Sequence, residues 1–218
     1  MAPERGEDTA FMGKLTAGAT HELKNVLAIV GESAGLLEDL LQLPGCREFS
    51  HRDRFLKALT SIRDQVRRGT QILTQLNKFA HGADHEKASV RLFDLMENLK
   101  ALSDRFLRQK AVTLNLVPDA KTDIAVKTFP VALQRLLFQA LMTLVEVLPQ
   151  GAVVAGEIGR KGTQAVCRLV VQGAPLSDGA LQTLERFLRE DGMRSLLQRL
   201  SATAQAARNG LEVCLEIS

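Results

Sequence analysis

The stretch from Phe11 to Val30, FMGKLTAGATHELKNVLAIV, decides how the first part of this chain folds. Its apolar residues recur at steps of four and three: Ala19, Leu23, Val26 and Val30, continued by Ser33, Leu37 and Leu40. That spacing predicts a helix from about Asp8 to Leu43, with the seam of a coiled coil or bundle along one side. His21, Glu22 and Asn25 stand inside the same stretch. Residues four apart on a helix lie about 40° apart around the axis and share a face. His21 and Asn25 are therefore neighbours, with Glu22 next door. Leu23 and Val26 hold the seam, which turns His21 toward solvent.

Working outward, LPGCREFSHRD breaks the pattern with Pro44 and Gly45, and Ser50 or Asp53 can cap a second helix. That helix repeats the seam through Phe55, Leu59, Ile62, Val66, Gly69, Leu73, Leu76 and Ala80. Two helices of ~30 residues joined by a short loop make an antiparallel hairpin. Leu27, Leu36, Leu41, Leu56 and Ile72 widen the apolar stripe beyond what one hairpin can bury. Two hairpins can bury it, so the expectation is a homodimer built around a four-helix bundle.

The polar break HGADHEKAS, at 81–89, marks the expected boundary between a helical domain at 1–82 and a second domain at 83–218. Beyond it the pattern alternates. A strand near Ser89–Leu92 precedes a helix at 93–110, and AVTLNLV and DIAVKTF read as strands. PVALQRLLFQALMTLVEVL is an apolar helix with Pro130 in its first turn. A hairpin turning at Arg160–Thr163, helices from Ser177 to Arg189 and from Met193 to Ala207, and a closing strand GLEVCLEIS complete the chain. A sheet of roughly five strands with these helices gives a two-layer α/β sandwich. The whole reads as α plus α/β.

Composition removes several alternatives. The 218 residues carry 28 basic and 25 acidic side chains, no Trp or Tyr, and nine Phe. Near-balanced charge and few aromatics leave no footprint for nucleic acid. Cys46, Cys167 and Cys214 are odd in number and in no metal spacing, so they read as reduced thiols, the last two buried in strands. His81 and His85 have no third ligand in sight and read as a linker. The N-terminus lacks a signal pattern and no apolar run approaches the ~18 residues of a membrane span. The expected location is the cytoplasm, with signals arriving through another protein.

An exposed neutral imidazole is a competent nucleophile toward phosphorus near neutral pH. A neighbouring carboxylate such as Glu22 can hydrogen-bond Nδ1–H, fix the tautomer and leave Nε2 free to attack. Phosphoryl transfer needs alignment and positive charge, to which Lys14 or Lys24 can contribute. Asn25 can orient a water for the hydrolytic direction.

These residues also resemble a known family. Gly13, Leu15, Gly18, His21, Glu22, Leu23, Asn25 and Leu27 resemble the phosphoacceptor segment of sensor histidine kinases, their dimerisation and histidine phosphotransfer domain. Val26 stands where many members carry Pro, a change that removes a kink and no catalytic group. The resemblance implies that His21 is the phosphoacceptor, Glu22 its acid–base partner and Asn25 the residue for dephosphorylation.

The second half is similar to the ATP-binding domain of the same kinases, in degenerate form. Gln139 and Thr143 occupy the two positions where the family carries Asn, the second of which holds Mg²⁺. Val171 stands where an Asp accepts from adenine, Pro175 replaces a Gly, and DGMRSLL keeps only Gly192 of the last Gly-rich loop. GEIGRKGT is a hairpin turn without the phosphate-loop pattern. The resemblance then implies a dimeric histidine phosphotransferase of a phosphorelay, passing phosphoryl groups between the aspartates of response-regulator receiver domains. No cofactor is expected to bind stably, and Mg²⁺ is expected to come from the receiver. This reading stands ahead of an ATP-dependent autokinase or phosphatase with a divergent site, and of a non-catalytic dimeric scaffold.

Overall fold

Gly69 shows how the first two helices come together. A Cβ there would lie 3.1 Å from Val26 Cγ1 and 3.8 Å from Leu23 Cδ2, so the missing side chain lets the backbones approach closely. In this computed structural model, which describes residues 2–42, 52–82, 87–117 and 124–216, α1 spans Ala2–Gln42 and α2 spans Arg52–Gly82. Glu22 meets Arg68, Val26 meets Gly69, and Ser33 Oγ donates to Ser61 Oγ at 3.4 Å, which is an antiparallel register.

The chain parts into two compact units, one at 13–77 and the other combining 1–12 with 78–218. In the first, every residue of the α1 seam is buried or half-buried. The α2 seam splits by heptad. Phe55, Ile62, Gly69 and Leu76 are covered, whereas Leu59, Val66 and Leu73 remain 47%, 53% and 49% exposed. Leu27, Ile29, Leu36 and Leu56 are exposed as well.

In the second unit, β1 (Ala88–Arg91) leads into α3 (Leu92–Gln109), followed by β2 (Thr113–Leu116), β3 (Ala125–Thr128) and α4 (Pro130–Val147). The hairpin β4 (Val153–Lys161) and β5 (Gln164–Gln172) turns at Gly162–Thr163, with φ +62° at Gly162. Then come α5 (Asp178–Arg189), α6 (Asp191–Arg199), β6 (Ala202–Ala207) and β7 (Gly210–Glu216). Pro130 opens α4, and Ser177 Oγ caps α5 by accepting from Ala180 N–H at 3.2 Å. The sheet is mixed, in the order β2-β4-β5-β7-β6, with only β2 and β4 parallel.

Two expectations need correction. The strand near Ser89 does not join the main sheet: β1 pairs with β3 in a separate two-stranded sheet. The helix expected to run to Ala207 stops at Arg199. Ser201 takes a left-handed φ of +49°, and Ala202–Ala207 becomes an edge strand paired with β7. Alanine favours helix, but pairing with β7 and alternating half-burial outweigh that weak preference.

One face of the sheet packs under the helices through Leu114, Val154, Cys167, Leu169 and Val213, all buried. The opposite face carries a row in cross-strand register, Glu157, Arg168, Glu212 and Gln205. Helix α4 is the core element, with eleven buried residues that include Leu133, Leu136, Leu137, Leu141 and Leu144. By length and composition it is also the one described helix apolar enough to cross a membrane, against the expectation that no such run exists. Its burial in the sandwich accounts for that apolarity. Phe138 on α4 packs against Phe11 and Phe106, with ring centroids 5.4 and 5.5 Å apart.

Candidate functional site

Helix α1 distributes its polar cluster over two faces. Glu22 and Val26 are four apart and share the side toward α2, so Val26 is buried and Glu22 half-buried. His21 and Asn25 share the next face and are both exposed, as is Lys24. Lys14 lies in the same helix two turns before His21, and its side chain is outside the described residues.

Asn25 Nδ2 lies 3.4 Å from His21 Nδ1. The ring nitrogen assigned from sequence to Glu22 therefore meets Asn25, because side chains four apart on a helix meet and adjacent ones diverge. The Glu22 carboxylate instead forms an ion pair and hydrogen bond with the Arg68 guanidinium of α2. Glu22 is the more enclosed partner, its side chain 14% exposed against 37% for Arg68.

Arg68 was not legible as a site residue. Its signal, a basic pair Arg67–Arg68 beside the seam glycine Gly69, gains meaning only when the antiparallel register sets it opposite Glu22. Together the side chains offer an exposed imidazole, a carboxamide at its Nδ1, a carboxylate held by a guanidinium, and an exposed ammonium at Lys24. That set can accept a phosphoryl group and neutralise its charge.

The kinase-like positions of the second unit are scattered in character. Gln139 is exposed on α4, Thr143 half-buried on α4, and Val171 half-buried near the end of β5. The segment after β5 is fastened by its backbone: Val171 N–H donates to Asn209 O at 2.8 Å and Leu176 N–H to Arg208 O at 2.7 Å. Arg208 also pairs with Asp178 at 2.6 Å. Gly192 sits in the first turn of α6, so the last Gly-rich segment is helix rather than loop.

Three members of the polar row on the opposite sheet face, Arg168, Glu212 and Gln205, bond one another. Arg168 Nε donates to Glu212 Oε2 at 2.7 Å, and Gln205 Nε2 to Glu212 Oε1 at 2.9 Å. The hydrogen bond from Arg168 holds the Glu212 carboxyl below its ordinary range. Cys167 and Cys214 are free and buried, as expected, and burial pushes the Cys167 thiol up to about 12, leaving it inert. Cys46 and His85 fall outside the described residues, as does the side chain of His81. No cluster of three metal-ligating side chains occurs among the described residues.

No family model and no curated protein matches the sequence. The chain is similar to several solved structures. The Acinetobacter baumannii histidine kinase AdeS matches at 12% identity over 91% of this chain and 98% of that one, with a TM-score of 0.46. The histidine kinase ThkA, in complex with the response regulator protein TrrA, matches at 15% identity over 99% of this chain and 64% of that one, with a TM-score of 0.47. A bacterial phosphotransferase matches at 13% identity over 95% and 96% of the two chains, with a TM-score of 0.43. All three scores fall under one half, so function is argued from the residues of this chain.

Proposed function

We propose that this chain is a phosphorelay histidine phosphotransfer protein: His21 takes a phosphoryl group from the aspartate of one receiver domain and returns it to another. The observation that carries this reading is the exposed imidazole of His21 on a helix face, with Asn25 at its Nδ1 and Lys24 beside it. A large partner can reach such a ring directly. In the forward step the His21 lone pair forms the N–P bond while the P–O bond to the donor aspartate breaks, leaving the electron pair on that carboxylate. Lys24 and Arg68 offset phosphoryl charge, and the receiver supplies Mg²⁺.

The second unit acts in docking or spacing and not as an ATP site. This is supported by Thr143 and Val171 at positions that require an amide and a carboxylate, and by Gly192 lying in a helix. Its backbone latch from 171–176 to 208–209 supports the same reading.

The working form is a homodimer in the cytoplasm. Leu59, Val66 and Leu73 form an exposed heptad stripe that a second copy of the hairpin would complete as a four-helix bundle. The test is to incubate the protein with a ³²P-labelled phosphorylated receiver, with and without ATP. Label on wild type but not on His21→Ala, without ATP, is the expected result. Label that appears only with Mg-ATP would overturn the reading in favour of an autokinase.

A further inference from the structure

The two-stranded sheet of β1 and β3 has one exposed face, and that face is cationic. We propose that it is a docking surface for an acidic protein partner, one that presents a cluster of carboxylates. The inference stands apart from the phosphotransfer reading and does not rest on His21.

The register decides which side chains share the face. The strands pair antiparallel with Ser89 opposite Lys127 and Arg91 opposite Ala125. Burial alternates along them: Val126 and Thr128 are buried, while Ser89, Arg91, Ala125 and Lys127 are exposed. One step beyond the ladder, exposed Lys87 meets Phe129, with Nζ 5.2 Å from the ring centroid. Arg199, at the end of α6, brings its guanidinium to the same ring at 4.8 Å. Diagonal neighbours across an antiparallel pair lie about 7–8 Å apart, so Lys127 stands between Lys87 and Arg91.

Neither strand carries an acidic residue. Arg91 pairs with Asp94 at 2.6 Å, but Lys87 and Lys127 form no ion pair among the described residues. Like charges set so close repel one another. The Phe129 ring offsets part of that for Lys87 and Arg199, and nothing described does so for Lys127. A surface bearing carboxylates would turn the repulsion into attraction. Half-buried Phe129 gives the contact an apolar centre with a charged rim, and aromatic and Arg side chains are what protein interfaces favour.

Other polyanions fit less well. The ring already carries two cations and is half-buried, which leaves it poorly placed to stack a base. The patch also falls short of the roughly six to ten phosphate contacts of a firm DNA binder. A membrane surface calls for a wider basic area or an exposed apolar wedge.

The test titrates the full chain with a polyglutamate peptide and follows ¹⁵N–¹H spectra. Shifts should be confined to 87–91, 125–129 and the end of α6. They should vanish in about 1 M salt, where the Debye length is about 3 Å. Lys87→Glu/Lys127→Glu should weaken binding about tenfold, because two exposed ion pairs become repulsions. Arg186→Glu/Arg189→Glu makes the same charge change at exposed positions on α5 and should leave affinity within about twofold. Equal loss in both double variants would reduce the effect to net charge and overturn the proposal, as would an absence of shifts on β1 and β3. Tighter binding of phosphatidylserine vesicles or of duplex DNA at the same residues overturns it in favour of a lipid or nucleic-acid surface. Circular dichroism checks the fold, and Lys87→Gln/Lys127→Gln carries the comparison should the glutamate pair not fold.

Discussion

The helical hairpin and the α/β unit are built from similar residues but solve burial differently. Of the eight large apolar side chains left exposed among the described residues, seven lie on the hairpin and only Val117 on the α/β unit. The α/β unit encloses its apolar side chains by itself, with α4 as its centre. The hairpin covers half of its α2 seam and leaves Leu59, Val66 and Leu73 exposed. Its chemistry sits on the surface, whereas the most fully enclosed charged side chain, Arg135, belongs to the sandwich. The difference leaves exposed apolar surface and the polar cluster on one region and a self-enclosed core in the other.

The contrast breaks most completely at His21. His21→Ala should abolish acceptance of phosphoryl from a labelled receiver while circular dichroism stays that of wild type, because the side chain is exposed. Assembly comes next. Val66→Glu leaves the single hairpin undisturbed, since Val66 is half exposed there. It should nevertheless split the proposed dimer, at about 1.5–3 kcal/mol per buried side chain lost. Sedimentation equilibrium across a concentration series would show a monomer, and an unchanged dimer would place the interface elsewhere.

In the α/β unit, Gly210 has a φ of +136°, and a Cβ there would lie 1.9 Å from Leu169 O. Gly210→Ala should therefore cost about 2 kcal/mol or more through backbone strain and overpacking. Urea unfolding should report that loss, while phosphoramidate labelling of His21 continues. The smallest effect concerns pH. The Glu212 carboxyl is held below its ordinary range in the folded state, so its contribution is present above the unfolded value and is lost as pH falls through the folded one. The unfolding free energy from urea titrations should drop between pH 6 and pH 3 by less than about 1 kcal/mol from this group, and Glu212→Gln should remove that part of the slope.

The hairpin was largely legible because its seam has one period and Gly69 falls on it, while the expected break around Pro44 and Gly45 and the cap at Ser50 lie outside the described residues. His21, Asn25 and Lys24 could be placed on an exposed face from spacing alone. The partner of Glu22 could not, since it depends on the register between α1 and α2. In the second half, alternating patterns and Pro130 gave most elements. Ala202–Ala207 misled because short alanine-rich segments take the structure their neighbours impose. The separation of β1 and β3 from the main sheet is a matter of long-range pairing, which no local pattern encodes.

The strand order also bears on how the molecule is made. β7 follows β6 along the chain, yet it lies inside the sheet, between β5 and β6. As the chain leaves the ribosome, β6 has no strand to pair with until β7 follows, and β5 keeps an open edge. The hairpin, whose contacts join neighbouring helices, can form while synthesis is still under way. The α/β unit must wait for β7 to pair, and in that interval its open edges are what a chaperone would have to shield.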